Sequence, residues 1–262
     1  MVRRLVALLL VAAGLVLLAL LPQLFEPRAD VGAAGVGAGT FPVVEVAGLG
    51  SNGSGYARLT RRLRHDGVRV LDFDPDRAGT QPLLYEPTDP AAGIADLAED
   101  TVAPAIADAL TRAGYDPTTQ VVDVVSHSTG GLAVRHLVEQ VPGWAERVDD
   151  LVLVAVPDHG SWAVWAETRG GGPFDQLGED MRPGSGFLDE LGYTEPDGEV
   201  YTTFGGDPWL LRHVWPGGFD DQVPARSPFL DGAANNVYPS FHGRLLRNEA
   251  VVDKIAATLA AD

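Results

Sequence analysis

From Phe41 onward, short continuous apolar runs alternate with stretches of helical period, and few architectures accommodate both. The runs are Val43–Ala47, Val68–Phe73, Val121–Ser126, Leu151–Val156, Val200–Phe204 and Asn236–Pro239. Strands that are apolar throughout, rather than at alternate residues, are covered on both faces, as in a parallel sheet whose connections are helices. Ile94, Leu97, Val102, Ile106, Ala109 and Leu110 recur at three- to five-residue steps, and Val134, Leu137, Val138 and Val141 do likewise, which predicts two amphipathic helices. A last helix carries Val251, Val252, Ile255 and Leu259. The expectation is one α/β domain over residues 40–262, with a mostly parallel sheet and helices on both faces.

Two segments depart from this alternation. Residues 158–198 contain Gly170-Gly171-Gly172-Pro173 and several aromatics without a clear period, and so long a segment in a compact domain points to an excursion with a task, here a lid-like one. Residues 1–39 begin with Arg3 and Arg4, followed by Leu5–Leu21, seventeen residues of Leu, Val, Ala and Gly that close at Pro22. Signal-peptide cores run to about 15 residues and membrane-spanning helices need about 20, so this segment is expected to be a signal peptide or a membrane anchor. Val31-Gly32-Ala33 suits cleavage, and the Gly/Ala stretch up to Gly39 suits a flexible tether. Either way the folded body is expected to be secreted, or anchored to the outer side of the cytoplasmic membrane with the positive charges inside.

Charge and composition exclude several classes of function. With 19 basic against 36 acidic residues the formal net charge is −17, which repels phosphate backbones and anionic lipid headgroups alike, so nucleic acid is not expected as a partner. The chain has no cysteine, which removes disulfides, thiolate metal sites and cysteine nucleophiles. No histidines fall at i, i+4 and no H-E-x-x-H or acidic calcium loop is present, so neither a metal nor any other cofactor is expected.

Two glycine motifs compete for the chemistry. Gly48-Leu49-Gly50-Ser51-Asn52-Gly53 follows a strand, precedes a helix and has Asp72 nineteen residues beyond, as a dinucleotide-binding turn would. Gly53-Ser54-Gly55, however, prolongs the glycine run where a phosphate-binding helix should already have begun. Ser126-His127-Ser128-Thr129-Gly130-Gly131 lies between the run ending at Ser126 and the helix carrying Val134. It reads as a nucleophile elbow, in which a strand turns sharply into a helix, small residues flank the turn and the nucleophile is held in a strained conformation. The elbow makes Ser128 the nucleophile and places the Thr129 N–H, unpaired at a helix start, where an oxyanion would develop. A plain helix cap at Ser128 or Thr129 is the simpler alternative.

At these residues the chain resembles the α/β-hydrolase superfamily, and within it the small bacterial lipases and esterases. The resemblance covers about residues 41–262. It rests on Phe41 to Gly50, Ser126 to Gly131, Pro157-Asp158-His159-Gly160-Ser161, Asp220 to Pro224 and His242. Ser126 stands where that family usually has glycine, and Ala47 where its oxyanion loop usually has histidine. The resemblance implies a serine hydrolase cleaving carboxylic esters of small molecules or lipids through a Ser-His-Asp triad, with the Leu49 N–H as second oxyanion donor.

Chain order within the family makes His242 the base. His159 and His213 are the other candidates, whereas His65, His127 and His136 read as structural, His127 because strand alternation points it away from the elbow. For the orienting acid the family register favours Asp220, with Asp207 and Asp221 as competitors and Asp231 at a similar distance. Substrate contact is expected from the excursion, through Trp162, Trp165 and Phe187, because it carries more apolar surface than a plain loop. Membrane contact would come from an uncleaved N-terminal segment, and oligomeric state is left open. Two other classes stay in play: a dinucleotide-dependent oxidoreductase using Gly48 to Gly53, and an inactive binding module on the same fold.

Overall fold

The computed structural model describes residues 41–260 except 52, 72, 84–88, 90, 170–173, 197–199 and 213–216. Leu5–Leu21 and the tether lie outside the described residues, as do Asn52, Asp72 and His213. Among the described residues no helix is long and apolar enough to cross a membrane.

Strands β1 (Val43–Val46), β2 (Val122–His127), β3 (Val148–Val154), β4 (Val200–Gly206) and β5 (Ala234–Tyr238) form one sheet in that order, with every neighbouring pair parallel. The expected strand at Val68–Phe73 does not form. Val70 makes one parallel bridge to Val43, and Leu83 makes another to Val46, so two short segments share the outer edge of β1. Each supplies a pair of main-chain bonds, Val43 N–H to Arg69 and Leu71 N–H to Val43 on one side, Ala47 N–H to Leu83 and Leu83 N–H to Glu45 on the other.

The long helix expected around Ile94–Leu110 is present, as α2 after α1 (Ala57–His65), but with a defect. It runs Ile94–Leu97, widens to a π turn at Ala98–Val102 and resumes over Ala103–Ala113. Pro104 lies in the first turn after the widening; it has no N–H to donate to the carbonyl four residues back, and its ring crowds that carbonyl, so the preceding turn opens. Helix α3 (Thr129–Gln140) follows β2 directly.

Strand alternation divides the interior into two cores. Val44, Val46, Val122, Val124, Leu151 and Leu153 face Ile94, Ile106 and Leu110 of α2 and Leu132 and Leu137 of α3. Val43, Val125, Val152, Val154 and Phe204 face Leu59 and Leu63 of α1 and, on the terminal helix, Val251, Val252, Ile255 and Leu259. Burying each such side chain is worth about 1.5–3 kcal/mol, and coverage of both faces is the reason the strands read as unbroken apolar runs.

The excursion is more ordered than its sequence suggests. Its described residues hold three short helices, α4 (Trp162–Thr168), α5 (Asp175–Asp180) and α6 (Gly186–Leu191), of which α4 and α6 start at serine caps, Ser161 and Ser185. Leu177, Met181, Leu188 and Leu191 are buried in the first core. Helices of this length are shorter than the window over which a period can be counted. The terminal helix is α7 (Glu249–Thr258).

From β1 the chain first visits one side, at Val70, and then crosses to the other to form β2. Diverging connections of this kind open a crevice at the carboxyl ends of the two strands, where the Gly48 loop and the Ser128 turn both lie.

Candidate active site

Ser128 sits between β2 and α3 with φ 55° and ψ −134°, a conformation that costs a non-glycine residue roughly 1–3 kcal/mol. Neighbouring bonds hold it there: its N–H donates to the Val154 carbonyl at 2.9 Å, and its carbonyl accepts from Gly131 N–H at 2.9 Å. A Cβ at Gly130 would come within 2.7 Å of the Ala47 carbonyl oxygen, so only glycine lets α3 start this close to the end of β1. Ser126, the departure from the expected glycine, is accommodated because its hydroxyl donates to the Val152 carbonyl at 3.2 Å.

The first glycine motif serves the same turn. A Cβ on Gly48 would stand 2.7 Å from Ser128 Cβ and 3.3 Å from its Oγ, so the loop after β1 runs directly against Ser128. That approach accounts for this glycine without a dinucleotide, and it brings the loop carrying the Leu49 N–H beside Ser128, which the Thr129 N–H adjoins along the chain. Where a histidine brace is missing at Ala47, Tyr56 supplies one: its buried hydroxyl donates to the Val46 carbonyl at 2.7 Å.

Ser128 Oγ lies 3.0 Å from His242 Nε2, and His242 Nδ1 lies 3.0 Å from Asp220 Oδ2. Asp220, buried, accepts two main-chain N–H bonds at its other oxygen, from Gln222 at 2.9 Å and Val223 at 2.6 Å, which fix the orientation of its carboxyl group. The His242 N–H donates to the Asp220 carbonyl at 2.8 Å, so backbone and side chain lock the same pair. Asp221 adopts φ 89° and accepts from the His242 N–H at 3.2 Å rather than from its ring; burial raises its carboxyl above the ordinary range. Asp207 follows β4 and packs against Gly218. Of the competing aspartates, Asp220 is therefore the one whose carboxylate meets the His242 ring. His159 is occupied elsewhere, with its ring nitrogen on the Ser227 carbonyl and its face stacked on Tyr193.

A cavity of about 320 Å³ opens at this group, lined among others by Leu49, Ser51, Ser54, Tyr56, His127 and Ser128, and by Gln222, His242, Leu246 and Arg247. Trp162, Trp165 and Phe187 are not among its lining residues. Trp162 is 55% exposed and meets Trp165 edge to face, while Phe187 packs against His136 and the first core. The α4 cap adjoins the acid loop nonetheless, through a bond from the Ser161 hydroxyl to the Gln222 carbonyl at 2.5 Å.

His127 differs from its expected structural role. Its ring lies 4.7 Å from that of His242, and its Nε2–H donates to the His242 carbonyl at 3.1 Å. Withdrawal from water, reinforced by the neighbouring imidazole, pulls His127 down to about 3, so it stays neutral at ordinary pH. Alternation points it away from the elbow, but the segment that begins at His242 packs against it. Tyr56, Gln222 and Arg247 gave no sequence signal, since each reaches the site through a loop or helix end remote from the elbow.

No family model matches the chain, and no curated protein does. Solved structures match well in shape. Phospholipase PlaB from Legionella pneumophila superposes with a TM-score of 0.64 at 17% identity over 85% of this chain. The mature Bacillus licheniformis lipase BlEst2 gives 0.58 at 17% over 84%, and Aspergillus fumigatus lipase B gives 0.58 at 18% over 90%. The fold is that of the α/β-hydrolases. This hydrolase-fold chain spans 60% of the phospholipase, 91% of the Bacillus lipase and 56% of the Aspergillus lipase. Within the fold, Ser128 occupies the turn after a central strand, and Asp220 and His242 follow later strands in chain order.

Proposed function

We propose that the protein is a serine hydrolase that cleaves carboxylic esters, with lipid esters as the substrate class. The observation that carries this reading is the pair of contacts from Ser128 Oγ to His242 Nε2 and from His242 Nδ1 to Asp220 Oδ2, both 3.0 Å, ending at a strained serine beside an open cavity. The lipase and phospholipase names of the structural neighbours support the lipid part.

In this mechanism Ser128 Oγ attacks the ester carbonyl carbon while His242 Nε2 takes the hydroxyl proton. The Leu49 and Thr129 N–H groups stabilise the oxyanion, a contribution of about 3–4 kcal/mol per donor in enzymes of this type. Collapse of the intermediate expels the alcohol, which takes the proton back from His242 and leaves an acyl-Ser128 ester. Water, deprotonated by the same imidazole, then releases the acid. Asp220 holds Nδ1–H and stabilises the imidazolium without taking the proton.

The exposed Trp162–Trp165 pair, on the helix capped beside the acid loop, supplies the surface for the acyl chain. The body works outside the cytoplasmic membrane, carried there by Arg3, Arg4 and Leu5–Leu21. Labelling with a fluorophosphonate probe tests the chemistry: Ser128 is expected to be modified, with loss of label in Ser128→Ala, and absence of label in the folded wild type would overturn the reading. Cell fractionation tests the location, which intact soluble protein in the cytoplasm would contradict.

A further inference from the structure

The cavity beside Ser128 is lined largely by polar side chains and glycine, with one permanently charged group, the guanidinium of Arg247. Arg247 ends the two-turn 3₁₀ segment His242–Arg247 that begins at the proposed catalytic histidine. Its Nη2–H donates to the Ser54 hydroxyl at 2.6 Å, and among the described residues no carboxylate pairs with it. This is unusual in a chain where acidic residues outnumber basic ones 36 to 19. The nearby carboxylate of Glu249 is engaged instead by Arg58, at 3.6 Å, and Arg58 also fixes the Arg247 carbonyl at 2.8 Å. Arg61, Arg62, Arg64, Arg135 and Arg182 all have carboxylate partners.

We infer that Arg247 reads an anionic group on the substrate, so that the preferred substrates are acyl esters carrying a phosphate or carboxylate within the cavity's reach of the scissile carbonyl. The inference rests on the ester-hydrolase reading above and narrows its substrate. A guanidinium presents five donors in a planar fork suited to either anion, and only one bond, to a neutral hydroxyl, is committed. Filling the cavity with an apolar chain would strip water from that charge without compensation, whereas an oxyanion restores its bonds. At roughly 30 Å³ per water, 320 Å³ holds about ten waters, comparable to a glycerol phosphate group. The net charge of −17 opposes anions at long range, but salt screens it beyond about 8 Å, leaving the local cation to decide at contact.

The test compares matched ester pairs on the full-length protein. One arm sets a 1-acylglycerol phosphate against the monoacylglycerol of the same chain; the other sets mono-4-nitrophenyl glutarate against 4-nitrophenyl pentanoate. In at least one arm, which identifies the anion, the ratio of kcat/KM for the anionic over the neutral ester should fall about tenfold or more in Arg247→Gln. It should be partly restored in Arg247→Lys, and in the wild type it should fall as NaCl rises. A ratio that neither Arg247→Gln nor salt changes in either arm overturns the assignment while neutral turnover and Ser128 labelling still stand. Loss of labelling and of all ester turnover in the wild type overturns both this inference and the reading beneath it.

Discussion

Two buried carboxylates pair with a basic side chain at almost the same distance in this protein, and only one of these two pairs opens onto the cavity. Asp220 meets His242 at 3.0 Å, and Asp158 meets Arg135 at 2.8 Å with both side chains fully buried. Arg135 also binds Glu139 at 2.8 Å, and Tyr201 donates to Glu139 at 3.2 Å. Burial works against the Arg135 charge, but Asp158 and Glu139 outweigh it and hold the guanidinium above its already high range. That cluster does not line the cavity; it ties α3 to the loop after β3. The far nitrogen of His242 instead faces Ser128 at the cavity wall. An opening, rather than burial or short distance, separates the two pairs.

The sharpest break between the pairs is expected on substitution of the acid. Asp220→Asn should lower turnover by up to ~10⁴ with little change in melting temperature, because it spoils the His242 tautomer but not the packing. Asp207→Asn and Asp221→Asn should each retain most activity; near-normal turnover in Asp220→Asn beside collapse in one of these would move the role. In the static cluster the pattern should invert. Arg135→Met should cost about 3–5 kcal/mol of stability by leaving Asp158 buried and unpaired, with the folded fraction still turning over. Adding Asp158→Leu should recover part of that loss in denaturant titrations. Additive losses would mean that the pair is not coupled.

A third buried carboxylate extends the comparison. Glu45 on β1 is 1% exposed; among the described residues its carboxyl meets the Thr60 hydroxyl at 2.9 Å and no cation, and burial raises it to about 8. Its folded pKa exceeds its unfolded one, so the stability it contributes is complete below about 4.5 and is lost as pH rises towards about 8. Relative to wild type, Glu45→Gln should therefore gain melting temperature between pH 5 and pH 8.5, by about 2–4 °C per kcal/mol. A constant offset across that range would remove Glu45 from the pH dependence. The smallest effect is expected at His127. Losing its bond to the His242 carbonyl should lower kcat up to about tenfold in His127→Phe, with KM and melting temperature nearly unchanged. A matching loss of stability would make its role one of packing.

Features that depend on neighbours along the chain could be read without a structure. The apolar runs at β1 to β4, the elbow at Ser126 to Gly131 and the last helix all follow from period and from steric demands within a few residues. Short-range reasoning also failed in identifiable places. Val68–Phe73 has strand composition, yet it shares the β1 edge with Leu83 and stops at one bridge. The helices of the excursion are too short to show a period, and Phe187, apolar enough for a substrate contact, is instead packed against His136.

The sequence by itself determined the layered α/β architecture and the sharp strand-to-helix turn at Ser128, because each is a property of a contiguous stretch. Tertiary structure alone decided which aspartate meets His242, that His127 turns back onto it and that Arg247 stands in the cavity with no carboxylate partner among the described residues. Ser128 and His242 are 114 residues apart, and His127 and the His242 carbonyl 115. Contacts across such separations depend on how two cores pack against one sheet, and on ångström differences among loops of nearly equal composition, such as those carrying Asp207 and Asp220. No local pattern encodes those differences, since neighbouring aspartates share the same chemistry and differ only in where the backbone aims them.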